Sequence, residues 1–204
     1  MKLTRRDFIK LAPIGVAVSV ASWWLVKQEK LPTSPSASEN TSSSQTKAPT
    51  VEPSNFPVTW NGDIPQNVDP RDYRLRVDGD VANPLQLTLE ELKAMPSVEK
   101  SLPIRCVEGW SATVLWEGIP LSYLLSQAGA PAKFDHVTVE SIAGYTSKIS
   151  QIVVANSNTM IALKAGAIPL TTDHGYPARL VLPGAHGLDW VKQVGRITCA
   201  KEEG

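Results

Sequence analysis

The sequence predicts an α+β domain with a mixed β-sheet core and few short helices. Runs of alternating apolar and polar residues, typical of half-buried strands, recur through residues 73–199. Glycine, proline and asparagine separate these runs, and only two short segments carry helix signals. Few helices among many strands indicate a domain built on β-sheet, with functional groups on the loops between strands.

The first strand is predicted at residues 73–77, and the Asp-Gly-Asp sequence at 78–80 predicts the turn after it. The first helix follows Thr88, because Thr88 and Glu91 have the spacing of a capping box. It is expected to run through Leu92 and to end before Pro96, since a residue that precedes proline is steered away from helical backbone angles.

The second helix is predicted at residues 120–127. Pro120 suits its first turn, where a backbone N–H would have no partner within the helix, and Gly129 is placed to end it. The remaining strands are predicted at residues 102–106, 113–116, 136–141, 179–182 and 196–199.

The 204 residues divide into three regions by composition. Residues 1–26 carry a pair, Arg5 and Arg6, before an apolar run, which predicts a twin-arginine export signal or an N-terminal membrane anchor. The sequence leaves open whether this segment is cleaved. Residues 27–57 are rich in Ser, Thr and Pro, which predicts a disordered linker. The folded domain is expected at residues 58–204, in the periplasm or otherwise outside the cytoplasm.

The 20 basic and 20 acidic residues cancel over the whole chain but are unevenly distributed. Basic residues dominate before Val26, and acidic residues are slightly in excess after Val58. Because nucleic-acid binding depends on neutralising phosphates with cations, no nucleic-acid partner is expected.

Cysteine occurs only at positions 106 and 199. Two cysteines exclude a disulfide framework and a four-cysteine metal site, although the two can form one bridge. The chain has no Cys-x-x-Cys-His haem attachment signal. Redox chemistry would therefore need a cofactor held by other means and a separate electron-transfer partner, such as a cytochrome or a membrane haem protein.

Residues 105–111, with the sequence RCVEGWS, place Cys106 at the end of a predicted strand and before a turn. A thiolate is a soft ligand that can hold a high-valent metal. The residues alone leave a second interpretation open, because most free cysteines are inert and buried.

This stretch resembles the cysteine loop of the sulfite oxidase and molybdopterin-binding superfamily, and within it the catalytic subunit of periplasmic methionine sulfoxide reductase. Two further stretches carry the resemblance in the same order, WEGIPL at residues 116–121 and HGYPARLVLPG at residues 174–184. The likeness covers residues 61–200. It implies a sulfite-oxidase-type molybdopterin-binding fold, Mo-molybdopterin as cofactor, and a molybdenum-dependent oxidoreductase.

The resemblance also implies roles for individual residues. Cys106 would ligate the molybdenum beside the two dithiolene sulfurs of the pterin, and His174 and Arg179 would contact the pterin and its phosphate. A phosphate binds well to a guanidinium, a second cation and backbone N–H donors, which Arg179, Lys192 and the turn at 184–187 can supply. The expected cofactor-binding set is completed by Asn61, Ser141, Trp190 and Val191, although Asn61 and Ser141 also suit ordinary turns.

Glu108 lies two residues after Cys106 and is a candidate catalytic proton carrier. A structural carboxylate bonded to turn amides is the alternative. In sulfite oxidases an arginine at the metal balances the anionic substrate, whereas the corresponding loop here shows Asn61. The sequence therefore favours two-electron, oxygen-atom-transfer chemistry on a small substrate over sulfite oxidation.

Two other functions remain open at this point. The first is a cysteine hydrolase, in which Cys106 attacks a carbonyl and His136, His174 or His186 acts as the base. The second is a non-catalytic binding module on the same fold, with Cys106 bridged to Cys199. Metal analysis separates the hydrolase from a molybdenum enzyme, and thiol titration tests the bridge.

Overall fold

Ten β-strands and three short α-helices make up the part of the computed structural model that is described, residues 56–59 and 64–200. Half of the strands form a first sheet: β1 (Arg74–Gly79), β2 (Leu85–Thr88), β5 (His136–Ser141), β6 (Thr146–Ser150) and β10 (Val194–Ala200). They lie in the order β2-β1-β10-β5-β6. Strands β1 and β10 are parallel, with Val77 opposite Ile197, and the other pairs of this sheet are antiparallel.

The second sheet is antiparallel in all its described pairings. It contains β3 (Val98–Arg105), β4 (Ser111–Pro120), β7 (Met160–Ala165) and β8 (Ile168–Pro169) in that order, and β9 (Arg179–Val181) pairs with β7 beside β8. Pro103 is tolerated in β3 because this strand is at the edge of the sheet, where a missing N–H breaks no ladder. The predicted fold, a mixed β-sheet core with few short helices, is confirmed.

The helices are short and each buries one apolar face. Helix α1 (Leu89–Ala94) has the predicted capping box, in which Glu91 N–H donates to the Thr88 hydroxyl and Thr88 N–H donates to the Glu91 carboxylate. Helix α2 (Leu121–Gln127) begins after Pro120 and buries Leu121, Leu124 and Leu125. Helix α3 is a single turn at Gln151–Val154.

One cluster of buried apolar side chains joins the two sheets. Strand β5 shows the predicted alternation, since Val137, Val139 and Ser141 are buried and the residues between them are not. Strand β7 is buried on both faces along most of its length, so its sequence MIALKA does not alternate. This is why strand patterns in the sequence do not predict β7.

No helix among the described residues is long and apolar enough to span a membrane. The signal or anchor predicted at residues 1–26 and the linker predicted at 27–57 lie outside the described residues, apart from Phe56 and Pro57.

Candidate active site

A single cleft brings together four segments that are distant in sequence. They are residues 56–59, the end of β3 with the turn after it, the loop that precedes β9, and the loop between β9 and β10. The cleft has about 370 Å³ of empty space, counting the solvent at its mouth. Four of the predicted site residues line it: Cys106, His174, Arg179 and Lys192.

Cys106 directly follows β3, at the mouth of the cleft and partly exposed. Its N–H donates to Trp110 O at 2.9 Å, and Gly109 N–H donates to Cys106 O at 3.1 Å. Gly109 has a φ of 93°, a left-handed conformation that favours glycine. The RCVEGWS sequence thus closes a tight turn that holds the thiol at the rim.

Glu108 lies beside Cys106 on the same turn. Its Oε2 is 3.8 Å from Cys106 Sγ, and it accepts hydrogen bonds from Trp110 Nε1 at 3.4 Å and from Thr59 Oγ1 at 3.2 Å. The structure therefore brings this carboxylate to the thiol, as a proton carrier requires, while leaving it exposed to solvent.

Arg179 is the first residue of β9 and is only 3% exposed. Its Cζ lies 5.4 Å from the ring centre of Trp116 and 5.9 Å from that of Trp190, and its Nη1 donates to His174 O at 3.3 Å. No carboxylate among the described residues forms an ion pair with it. Burial lowers the pKa of this guanidinium to about 10, which leaves it charged at neutral pH.

Three buried N–H donors around this arginine have no hydrogen-bond partner among the described residues. They are Arg179 Nε, Trp116 Nε1 and Trp190 Nε1, and the two indole rings lie 5.6 Å apart. Buried donors are almost always paired in folded proteins, so each exception needs an explanation. Unpaired donors beside a buried cation indicate a place for a group that is anionic and rich in acceptors.

His174 is buried, and both of its ring nitrogens lie within hydrogen-bonding distance of protein atoms. Nδ1 lies 2.8 Å from Thr171 Oγ1, Nε2 lies 3.3 Å from Phe56 O, and the ring centre is 4.1 Å from that of Phe56. Burial lowers the pKa of His174, and the charges of Arg179 and Lys192 lower it further, against the opposing effect of the Phe56 carbonyl. Both ring nitrogens are engaged by the protein, so the ring has a fixed position in the wall of the cleft.

Lys192 completes the basic side of the cleft. Its Nζ donates to Thr59 O at 2.7 Å and to Asp173 O at 2.8 Å. Burial, and after it the charge of Arg179, lowers the pKa of Lys192 to about 7, whereas Asp173 and Cys106 act in the opposite direction. An anion bound between the two cations would restore the full charge of this lysine.

Gly175 leaves room for the stems of Arg179 and Lys192. It has a φ of 104°, and a Cβ at this position would lie 3.2 Å from Arg179 Cβ and 3.2 Å from Lys192 Cα. A larger residue would therefore be strained in its backbone and would crowd both cationic residues.

Comparison with known proteins shows the family to which this domain belongs. The family model for the oxidoreductase molybdopterin-binding domain matches residues 61–204, well over half of the chain. The chain belongs to this family. Membership identifies the cofactor as Mo-molybdopterin and the enzyme class as molybdenum-dependent oxidoreductase, both as the sequence predicts.

Relatives support this assignment. The chain is 30% identical over 148 residues to an uncharacterised oxidoreductase, YuiH, of Bacillus subtilis, covering 72% of this chain and 75% of that protein. It is 32% identical over 156 residues to the catalytic subunit of a protein-methionine-sulfoxide reductase of Gluconobacter oxydans, covering 68% of this chain and 50% of that protein. The predicted resemblance to the methionine sulfoxide reductase subunits is thus confirmed.

A solved structure shows the same fold. The sulfane dehydrogenase SoxCD of Paracoccus pantotrophus superposes with a TM-score of 0.64 and 28% identity, covering 68% of this chain and 40% of that one. The chain thus spans about half the length of the reductase subunit and less than half of the dehydrogenase.

The cleft of this molybdopterin-binding domain fits the cofactor in two respects. Arg179, whose Nε has no partner among the described residues, and Lys192 both line the cleft and suit the pterin phosphate. No cluster of three or more His, Cys, Asp or Glu side chains could hold a metal by itself within residues 56–59 and 64–200. A metal at the partly exposed Cys106 would therefore need further ligands from outside the protein, which a dithiolene supplies.

Ser141, Trp190 and Val191 are not among the described residues that line the cleft. Ser141 ends β5, where its buried hydroxyl accepts from Tyr145 N–H at 2.9 Å. Trp190 and Val191 are each 1% exposed and belong to the core, Trp190 beside Arg179. Asn61 lies outside the described residues.

Several lining residues are missing from the predicted site, Phe56 and Thr59 among them. Phe56 falls within the stretch assigned to the linker, yet it is 3% exposed and its ring contacts those of Trp110, Trp116 and His174. It is the only aromatic residue within 27–57, and that was the signal in the sequence. Its contacts show that the end of this stretch packs on the domain.

The geometry supports neither the cysteine hydrolase nor a binding module with a bridge between Cys106 and Cys199. Of the three histidines considered as a hydrolytic base, only His174 lines the cleft, and both of its nitrogens are engaged. Cys106 and Cys199 are free thiols, and Cys199 is buried in β10, where burial raises its pKa.

Proposed function

We propose that this chain is an exported molybdenum oxidoreductase in which Cys106 Sγ ligates the metal of Mo-molybdopterin. The reaction moves an oxygen atom between water and a small substrate. In balanced form, the reduced substrate and one water give the oxygenated substrate, two electrons and two protons, and the reverse reaction consumes them. The cofactor supplies the two-electron chemistry at the metal.

The observation that carries this proposal is the position of the Cys106 thiol. It is partly exposed at the rim of a cleft whose inner wall holds Arg179 and Lys192, in a domain whose family binds molybdopterin. An inert cysteine would be expected inside the core, as Cys199 is. A soft ligand beside an anion-binding wall suits a metal that is attached to a phosphorylated cofactor.

The protein residues have distinct roles in this proposal. Arg179 and Lys192 bind the pterin phosphate, and His174 orients the pterin from its position between Thr171 and Phe56. Glu108 carries protons between solvent and the mouth of the cleft, since its carboxylate is both exposed and 3.8 Å from the thiol.

The relatives suggest where to look for the substrate. One relative is a protein-methionine-sulfoxide reductase and the matched structure is a sulfane dehydrogenase, so both names refer to sulfur compounds. We expect small sulfoxides, with amine N-oxides as a comparison class, to be reduced when a reduced viologen dye supplies electrons. Oxidation of the dye, followed by absorbance, measures this activity.

The proposal includes export and a redox partner. The Arg5-Arg6 pair and the apolar run after it suit the twin-arginine route, which carries folded proteins with their cofactor in place. Because the chain lacks a haem attachment signal, electrons would pass to or from a separate cytochrome or membrane haem protein. Replacing both arginines with lysine should leave the protein in the cytoplasm, as cell fractionation would show.

Metal and pterin analysis tests the proposal as a whole. The full chain is purified from a host that makes the cofactor, wild type beside Cys106→Ala and Cys199→Ala. We expect about one molybdenum and one pterin per wild-type chain, the same in Cys199→Ala, and loss of viologen-dependent activity in Cys106→Ala. Wild-type protein without molybdenum would overturn the proposal and favour a binding module.

A further inference from the structure

The Thr59 hydroxyl lies between the Cys106 thiol and the Glu108 carboxylate. Its Oγ1 is 3.7 Å from Cys106 Sγ and 3.2 Å from Glu108 Oε2. Glu108 Oε2 is in turn 3.8 Å from Cys106 Sγ, so the three groups form a closed triangle. A threonine hydroxyl carries one proton, which it can donate to either of the two acceptors.

Thr59 is held in this position by contacts of its own segment with the cleft. Its carbonyl accepts a hydrogen bond of 2.7 Å from Lys192 Nζ. Three residues earlier, Phe56 is buried against His174, and its carbonyl lies 3.3 Å from His174 Nε2. The hydroxyl is thus directed at the sulfur by a segment that is fixed at two points.

Loss of the thiol proton changes how these hydrogen bonds are shared. A metal-bound sulfur is deprotonated, so it can accept a hydrogen bond but can no longer donate one to Glu108. The Thr59 hydroxyl, 3.7 Å from Cys106 Sγ, can then donate its proton to the sulfur. Glu108 keeps the indole N–H of Trp110 as a donor and is open to water.

We propose that Thr59 is a positioning residue whose hydroxyl donates to the metal-bound sulfur of Cys106 and thereby raises the reduction potential of the molybdenum. The inference rests on the proposed ligation by Cys106. A hydrogen bond to a ligand sulfur withdraws electron density from the metal, so the reduced metal is stabilised relative to the oxidised one. Removal of the hydroxyl should therefore lower the potential.

A matched pair of variants tests this in the intact holoprotein. Thr59→Val keeps the shape of the side chain and removes the hydroxyl, whereas Thr59→Ser keeps the hydroxyl and removes the methyl group. In Thr59→Val we expect the ratio of oxidised to reduced molybdenum at a given potential to rise about tenfold. For a one-electron couple this corresponds to a reduction potential lower by about 59 mV. Thr59→Ser should retain the wild-type potential. The readout is a redox titration followed by electron paramagnetic resonance.

A role in packing alone predicts the opposite pattern, because Ser loses contacts that Val keeps. Equal potentials in wild type and Thr59→Val, or a shift in Thr59→Ser alone, would overturn the inference. Thr59→Ala is the second variant that lacks the hydroxyl, and it should lower the potential as Val does. Thr59→Ala also controls for any structural disturbance caused by the second methyl group of Val.

X-ray absorption at the molybdenum edge separates failure of this inference from failure of the proposed function. A cysteine sulfur at the metal in wild type and Thr59→Val, together with equal potentials, contradicts the role of Thr59 only. A wild-type metal without that sulfur contradicts the ligation by Cys106, and the inference fails with it.

Discussion

The guanidinium carbon of Arg179 lies 5.4 Å from the ring centre of Trp116, in a part of the core from which solvent is excluded. An aromatic ring stabilises the cation through its face without occupying the N–H donors of the guanidinium. Arg179 Nε has no partner among the described residues, and neither has Trp116 Nε1. Apart from the bond from Nη1 to His174 O, the hydrogen-bonding capacity of this buried cation is therefore left for an anion such as the pterin phosphate.

Replacement of this arginine should separate cofactor binding from folding. In Arg179→Met we expect pterin and molybdenum to be lost, because methionine fills much of the volume but cannot bind phosphate. The free energy of unfolding of cofactor-free protein should fall by less than about 2 kcal/mol, since a buried charge without an ion-pair partner is itself costly. Urea unfolding and the fluorescence of oxidised pterin measure the two effects.

Arg196→Met is the matched control for this change. Arg196 is paired with Asp78 on the first sheet, away from the cleft, and its side chain is 49% exposed. This variant should retain the cofactor. If Arg179→Met also retained it, the assignment of the phosphate site would be wrong.

Lys192 should make the stability of cofactor-free protein depend on pH. Its pKa is lowered to about 7 in the folded state, from an ordinary value of 10.5. Between these values the unfolded state binds more protons than the folded state, so the free energy of unfolding rises with pH through this window. Below about pH 7 the cost of the buried charge is fully present.

Lys192→Met removes this contribution. We expect wild type to gain stability relative to Lys192→Met as the pH rises from 7 to 9, measured by urea unfolding in a buffer free of phosphate. A constant difference between the two proteins across this range would contradict the assigned pKa.

The two thiols should differ sharply in reactivity in the folded, cofactor-free protein. Cys106 is partly exposed, whereas Cys199 is 1% exposed in β10 and burial raises its pKa. A thiol-reactive dye should therefore label Cys106 rapidly and Cys199 only after unfolding. Cys199→Ala should keep the rapid phase and Cys106→Ala should lose it. A protein without any free thiol would instead support the bridged binding module.

Glu108→Gln should alter the pH profile of the viologen-dependent reaction. The amide keeps the shape of the side chain but cannot accept or release a proton, so turnover should fall by about 10²-fold and its dependence on pH should change. Glu90→Gln is the control, because Glu90 pairs with Lys93 on α1, outside the cleft. Unchanged turnover and pH profile in Glu108→Gln would exclude the role of a proton carrier.

Local signals account for the elements that the sequence predicts well. Both bounds of β5 are predicted because its alternation is unbroken, and α1 is predicted because Thr88 and Glu91 form a capping box within four residues. The strands β2, β6 and β8 are short, and β7 is buried on both faces. Strands β2, β6 and β8 each pair with the strand directly before them in the chain, so it is their few residues, too few for a clear alternation, that hide them from local patterns, whereas β7 lacks alternation because both of its faces are buried.

The site residues, too, are predicted where the sequence carries a local signal and missed where it does not. Cys106, His174, Arg179 and Lys192 lie in stretches that resemble the family, and the structure brings all four to one cleft. Thr59 carries no signal of its own, because its role depends on the segment of Phe56. This phenylalanine packs on Trp110 and Trp116, which are distant in sequence. The residues against which Phe56 is buried are determined by tertiary packing, and the composition of its segment does not reveal them.

The direct test of the account is the number of sulfur ligands at the metal. X-ray absorption at the molybdenum edge should show three sulfurs in the purified wild-type holoprotein, two from the pterin dithiolene and one from Cys106. Cys106→Ala protein that retains metal should show two. Equal sulfur counts in the two proteins would contradict ligation by Cys106, on which the proposed function depends.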